Sequence, residues 1–108
     1  MENAYEKYKS MIDAQPVLDD SWFASALTQA RHGDDEARRR ILGSSLRLAL
    51  PVAESLAATR TDLSFWDVVQ EANVALTHSL QHFTGSLAGD FAAQVESDVR
   101  AHLLALAK

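Results

Sequence analysis

Four hydrogen-bonding side chains, Asp67, Gln70, Glu71 and Asn73, interrupt the otherwise apolar stretch LSFWDVVQEANVAL from Leu63 to Leu76. A helix turns about 100° per residue. On that wheel Phe65, Val68, Val69, Ala72, Leu76, Leu80 and Phe83 gather on one side. Asp67, Gln70, Glu71, Asn73 and Thr77 gather on the other, with Val74 among them. One face is therefore core. The other either meets water, as most polar helix faces do, or forms a recognition surface of carboxylates and amides around an exposed valine. Solvated helices usually pair Glu with Lys four residues on. No Lys or Arg occurs from Leu63 to Phe83, and Asp and Asn are poor mid-helix residues. Both features favour a docking surface.

Other residues with chemical capacity are fewer. His78 and His82 are four apart, with Glu71 on nearly the same stripe, a spacing that can hold a metal. No third ligand is indicated, and a solvated or partner-facing surface is the commoner outcome. His32 and His102 read as isolated surface residues. Arg38, Arg39 and Arg40 could touch phosphate, but Asp34, Asp35 and Glu36 just before them favour local pairing. Trp22, Phe23, Phe65 and Trp66 follow the apolar faces and read as packing residues, Trp66 near the border of its face. No Ser/His/Asp arrangement, glycine-rich phosphate loop or nucleotide fingerprint is visible. The expectation is no enzyme, no cofactor, no metal and no small-molecule substrate.

A chain of 108 residues is expected to form one domain with a single modest core. It has four Gly, two Pro and no β-branched runs, which favours an all-α domain. Without Cys, disulfides and thiolate metal sites are excluded. The N-terminus MENAYEKYK is no signal peptide, and no apolar stretch looks long enough to span a bilayer. A cytoplasmic location is expected. Net charge is −5 and unevenly placed. Residues 1–60 carry nine acidic and eight basic side chains, residues 61–108 six acidic and two basic. The C-terminal half is poorly suited to phosphate backbones.

The elements that position these residues read as about five helices. The first runs from Glu2 to about Asp13, with Tyr5, Tyr8, Met11 and Ile12 at helical spacing. Ala14–Leu18 is a connector stopped by Pro16. Asp19 or Asp20 caps the next helix, which carries Trp22, Phe23, Ala26, Leu27 and Ala30. Gly33 ends it and Asp34 caps a third. Gly43-Ser-Ser should break or bend this third helix, and Pro51 should kink or restart it. Ala58–Asp62 is a loop. Ser64 caps the fourth helix, with Asp67 as in a capping box. That helix runs to about Phe83. After Thr84–Gly89, Asp90 caps a last helix with Phe91, Val95, Val99, Leu103 and Leu104 on one face.

LSFWDVVQEANVAL resembles the region 2.2 signature LSFLDLIQEGNIGL of the sigma-70 family, the sigma factors of bacterial RNA polymerase. Upstream, Tyr8, Ile12, Pro16, Leu18, Gly33-Asp34, Glu36-Ala37-Arg38 and Leu46-Arg47-Leu48 fall at family spacing without gaps and look like region 1.2 running into region 2.1. Downstream, Phe83 and Phe91 keep the spacing into region 2.3. The likeness covers about a hundred residues, from near Tyr5 to near Leu103, so residues 1–108 look like a single sigma region 1.2/region 2 domain.

The resemblance implies that the Asp67–Asn73 face docks on the clamp helices of the polymerase β′ subunit. Asp67, Gln70, Glu71 and Asn73 match the contact positions in residue type, with Val74 and Thr77 completing the face. The family's two glycines are Ala72 and Ala75 here. The family also opens promoters with a Tyr, a Trp pair and basic residues on the helix after Phe91. Here those positions hold Gln94, Ser97 and Asp98, with Glu96 adding acid. Arg100 is retained, but a following Gln is Ala101. Base capture needs aromatic platforms and positive charge, so weak or no promoter DNA binding is expected. The alternatives are a sigma mimic that binds a regulatory protein such as an anti-sigma factor, and a divergent sigma fragment with residual DNA binding, for which Arg38–Arg40 are the candidate contacts.

Overall fold

Polar residues before the apolar runs set the starts of the first three helices. In a computed structural model, which describes residues 3–60 and 62–106, the helices are α1 (Ala4–Asp13), α2 (Asp20–Arg31), α3 (Asp35–Thr59), α4 (Phe65–His82) and α5 (Ala88–Leu106). No strand occurs among the described residues. The expected first-helix residue Glu2 and the loop residue Thr61 lie outside them. Asn3 caps α1, its Oδ1 accepting from the Glu6 N–H at 2.8 Å. Asp19 caps α2 by accepting from the Ser21 N–H at 2.8 Å. Asp34 caps α3 through the Ala37 N–H at 3.0 Å. Gly33 takes φ 95° at the α2–α3 corner, which only glycine adopts without strain.

Two expected caps are corrected. Ser64 holds the N-cap position of α4 but its side chain makes no capping bond. Its carbonyl accepts from the Val68 N–H at 3.1 Å as ordinary helix bonding requires, so Asp67 is not part of a capping box. Asp90 does not cap α5, which begins two residues earlier at Ala88. The start of α5 is satisfied from far along the chain. Asp20 Oδ1 accepts from the Ala88 N–H at 2.7 Å, an N-terminal donor bound by a carboxylate. Adjacent aspartates thus divide the work: Asp19 caps its own helix, and Asp20 caps another.

The largest correction is α3. It runs unbroken for 25 residues through Gly43, Ser44, Ser45 and Pro51. Small residues are needed there because α3 is the central helix, with α1, α2, α4 and α5 all packed on it. Ser44, Ser45 and Ala53 are fully buried. The Ser45 hydroxyl donates to the Ile41 carbonyl at 2.7 Å. This satisfies it within the helix. At Gly43 a Cβ would approach the Gln15 Oε1 to 2.6 Å, so the α1–α2 connector packs directly on this turn. Pro51 is exposed. Its missing N–H leaves one carbonyl without its helical donor, and the solvent side of a packed helix tolerates that loss. By length and composition alone α3 passes as a membrane span, with a mean hydropathy of 1.2 over its most apolar window. This corrects the expectation that no stretch is long enough. In the bundle 39% of that window is buried, against the other four helices.

The core continues from α3 into a ring cluster. Phe23 of α2 and Phe91 of α5 stack at 5.3 Å, and Phe83 meets Phe91 edge-on at 5.1 Å. Burying each ring contributes roughly 1.5–3 kcal/mol. Two arginines fasten the connections. Arg31 Nη2 donates to the carbonyls of Phe83 (2.7 Å) and Gly85 (3.1 Å), fixing the α4–α5 loop. Arg47 Nη2 donates to the carbonyls of Ile12 (3.2 Å) and Gln15 (2.7 Å), fixing the end of α1. The Tyr5 hydroxyl donates to the Glu54 carboxylate. That bond, followed by burial and the Glu54 charge, raises the Tyr5 pKa. Leu104, expected on the core face of α5, is instead more than half exposed, and Met11 of α1 points outward too.

Candidate partner-binding face

Helix α4 is held at both flanks and open in the middle. Val68, Val69, Ala72, Ala75, Leu76, Ser79 and Leu80 are its buried stripe. Asp67 and Gln70 are exposed, and among the described residues the side-chain bonds of α4 are made by Asn73, Thr77, Ser79 and Glu71, with none from Asp67 or Gln70. Val74 follows Gln70 by one turn and is 42% exposed. Asp67, Gln70 and Val74 therefore form a strip of acceptor, amide and apolar ridge with no internal commitment. Thr77 lies half-buried a turn further on, its hydroxyl donating to the Asn73 carbonyl at 3.1 Å.

The other two polar residues of the face are half-buried and turn to opposite sides. Asn73 Nδ2 donates to the Tyr8 hydroxyl of α1 at 3.4 Å. Tyr8 also meets the edge of Trp66 at 5.6 Å. Trp66 remains 42% exposed and packs edge-on against Phe65 at 5.1 Å. Tyr5 meets Phe65 at 5.5 Å. The α1 flank of the strip is thus an aromatic wall. On the α5 flank, Glu71 Oε2 lies 2.7 Å from His102 Nε2. His102 is therefore not the isolated residue expected from the sequence. The five polar positions and Val74 do share one helix face, but only Asp67, Gln70 and Val74 present uncommitted side chains.

The positions likened to DNA-melting residues lie in quite different environments. Phe91 is fully buried in the ring cluster. Gln94 and Asp98 are half-buried and turned toward α4. Gln94 Nε2 donates to the Ser79 carbonyl at 2.8 Å, and Asp98 Oδ2 accepts from the Ser79 hydroxyl at 2.6 Å. Ser97 is exposed. Arg100 is exposed and lies 3.3 Å from Glu96, one turn before it.

The arginine run divides similarly. Arg38 pairs with Asp35 at 3.4 Å, and the Arg40 guanidinium lies 4.5 Å from the Trp22 ring centre. Trp22 Nε1 donates to the Val17 carbonyl at 2.8 Å. At the far end of the domain Arg60 pairs with Asp62 at 2.6 Å and reaches the Leu106 carbonyl at 3.4 Å. The hydrogen bond from Arg60 lowers the Asp62 pKa from 3.8 to about 2.

Sequence reasoning missed a groove of about 680 Å³ between α4 and α5, lined by Ala75, His78, His82, Gln94, Asp98, Ala101 and His102. Its signal was available: Gln94, Asp98 and His102 recur every four residues, as do His78 and His82. Their convergence depends on how two helices pack, and no single-helix wheel gives that. No group of three or more His, Asp or Glu side chains arranged to hold a metal occurs among the described residues.

No family model matches the chain, and no curated protein matches it significantly.

Proposed function

We propose that this is a non-enzymatic docking domain that uses the exposed strip of α4 to bind a basic helical partner in the cytoplasm. The resemblance to sigma region 2 makes that partner the clamp helices of the RNA polymerase β′ subunit, in transcription initiation or its regulation. The observation that carries the reading is the strip of Asp67, Gln70 and Val74, exposed and without internal partners on a helix that bears no Lys or Arg. Solvent-facing carboxylates without paired cations gain most from a partner that supplies positive charge. The flanking contacts of Asn73 to Tyr8 and of Glu71 to His102 hold the helix in place, so the strip is pre-organised and little ordering remains to be done on binding.

Promoter opening is not part of this proposal. The side chain of Phe91 lies in the core, Gln94 and Asp98 are bonded to α4, and Arg100 is paired with Glu96. This leaves no aromatic platform on α5 for an unstacked base.

The test is co-purification with core RNA polymerase. Asp67→Arg combined with Gln70→Ala abolishes recovery of polymerase if the strip is the interface. Both positions are solvent-exposed, so the variant keeps its fold, which a thermal melt checks. Undiminished recovery would place the interface elsewhere. Capture of a regulatory protein in place of polymerase would assign the same face to the sigma-mimic alternative.

A further inference from the structure

The groove between α4 and α5 opens on the Glu71 side of the docking strip, and its polar groups are only half used. Asp98 engages the Ser79 hydroxyl with Oδ2 alone. Gln94 engages the Ser79 carbonyl through its Nε2. Asp98 Oδ1 and Gln94 Oε1 therefore remain as acceptors without partners among the described residues. Their residues stand four positions apart on α5, about 6 Å along the axis. The imidazoles of His78 and His82 line the opposite wall on α4, likewise without hydrogen-bond partners among the described residues. Ala75 and Ala101 leave the space between the walls open.

We infer that this groove takes an arginine side chain from the docking partner. The recognising chemistry is a carboxylate oxygen and an amide oxygen on the α5 wall, with the exposed imidazoles of His78 and His82 lining the α4 wall. A guanidinium matches both. It is a planar cation whose N–H donors form a fork, and it stacks on flat rings. Lysine offers a point charge without a plane. The lining charge agrees, since Asp98 is a carboxylate and no Lys or Arg lines the groove. Asp98 is also fixed before binding, because Ser79 is fully buried and holds its carboxylate in place. The inference rests on the reading of α4 as the docking helix for a basic partner. It names the side chain such a partner would insert beside the strip.

The experiment uses Nα-acetyl-arginine amide as probe, with the lysine analogue beside it, titrated into the whole domain and followed by the imidazole resonances of His78, His82 and His102. Saturable shifts at these histidines are expected with the arginine probe, and much weaker ones with lysine. Asp98→Asn keeps an acceptor for Ser79 and removes the charge. It should weaken the arginine affinity about tenfold or more, as expected for loss of a charge-assisted bond, while the thermal melt holds. Absence of saturable shifts, equal response to lysine, or an affinity unchanged in Asp98→Asn would each overturn the inference. So would a groove that responds to divalent zinc and not to arginine. Because the probe is a single residue, failure here leaves the Asp67 and Gln70 test intact, and failure of that test leaves this one interpretable.

Discussion

Replacing Phe91 by alanine separates a core role from a surface role at the head of α5. The ring is fully buried and meets Phe23 at 5.3 Å and Phe83 at 5.1 Å. Truncating a buried Phe costs about 3–5 kcal/mol, from lost transfer energy plus the cavity left behind. The unfolding entropy of a domain of 108 residues is about 0.23 kcal/mol/K at roughly 2.1 cal/mol/K per residue. The expected drop in Tm is therefore about 13–22 °C. Thermal and urea melts followed by circular dichroism measure it, with the urea midpoint falling and the m value unchanged. Ser97→Ala, on the exposed side of the same helix, should stay within about 0.5 kcal/mol. A Phe91→Ala variant as stable as Ser97→Ala would refute the packing of α5 described here. It would also return Phe91 to the surface, where a nucleic-acid role could be argued.

Three further outcomes follow from contacts outside the ring cluster. Asp20→Ala removes the carboxylate that holds the Ala88 N–H and should cost about 1–2 kcal/mol, near the upper range for a lost N-cap. Hydrogen exchange should rise in the first turn of α5 before it rises in α2. Asp62→Asn tests the Arg60 link. The Asp62 pKa is lowered from 3.8 to about 2, so its contribution is present above pH 3.8 and lost as the pH falls toward 2. The stability difference between wild type and Asp62→Asn should vanish over that window, and a constant difference across it would refute the link. A double-mutant cycle of Glu71→Gln and His102→Gln should give a coupling below about 1 kcal/mol, because both half-buried side chains keep a third or more of their surface open to solvent.

Much of the fold is legible in the sequence because helical periodicity and caps are local. The apolar positions of α2, α4 and α5 fall at a 3.6-residue period, and Phe23, Val68, Val95 and Val99 are buried as that period requires. Gly33 and Asp34 mark the α2–α3 corner for reasons confined to three residues. The misreadings are tertiary. Gly43, Ser44, Ser45 and Pro51 weaken a lone helix, yet α3 continues through them because four helices pack on it and need its small side chains. Asp20 reads as a cap for its own helix but serves Ala88, 68 positions away. Leu104 follows the buried Leu103 by one residue, about 100° round the helix from the core stripe, and stays exposed.

The candidate site shows the same division. The wheel places Asp67, Gln70, Glu71, Asn73, Val74 and Thr77 on one face of α4, and they lie there. It cannot say that Asn73 is drawn to Tyr8 or Glu71 to His102, because α1 and α5 supply those partners. Nor does it reveal the groove, which exists only once Gln94, Asp98 and His102 of α5 come to face His78 and His82.

Photo-crosslinking from Val74 tests docking through α4 most directly. Val74 sits in the exposed strip, 42% open to solvent, where a photoreactive side chain can extend outward. Irradiated with core RNA polymerase, the domain should form a covalent adduct with β′, and the same amino acid at Ser97 on α5 should form none. No adduct from Val74, or an equal yield from Ser97, would contradict the assignment of this face.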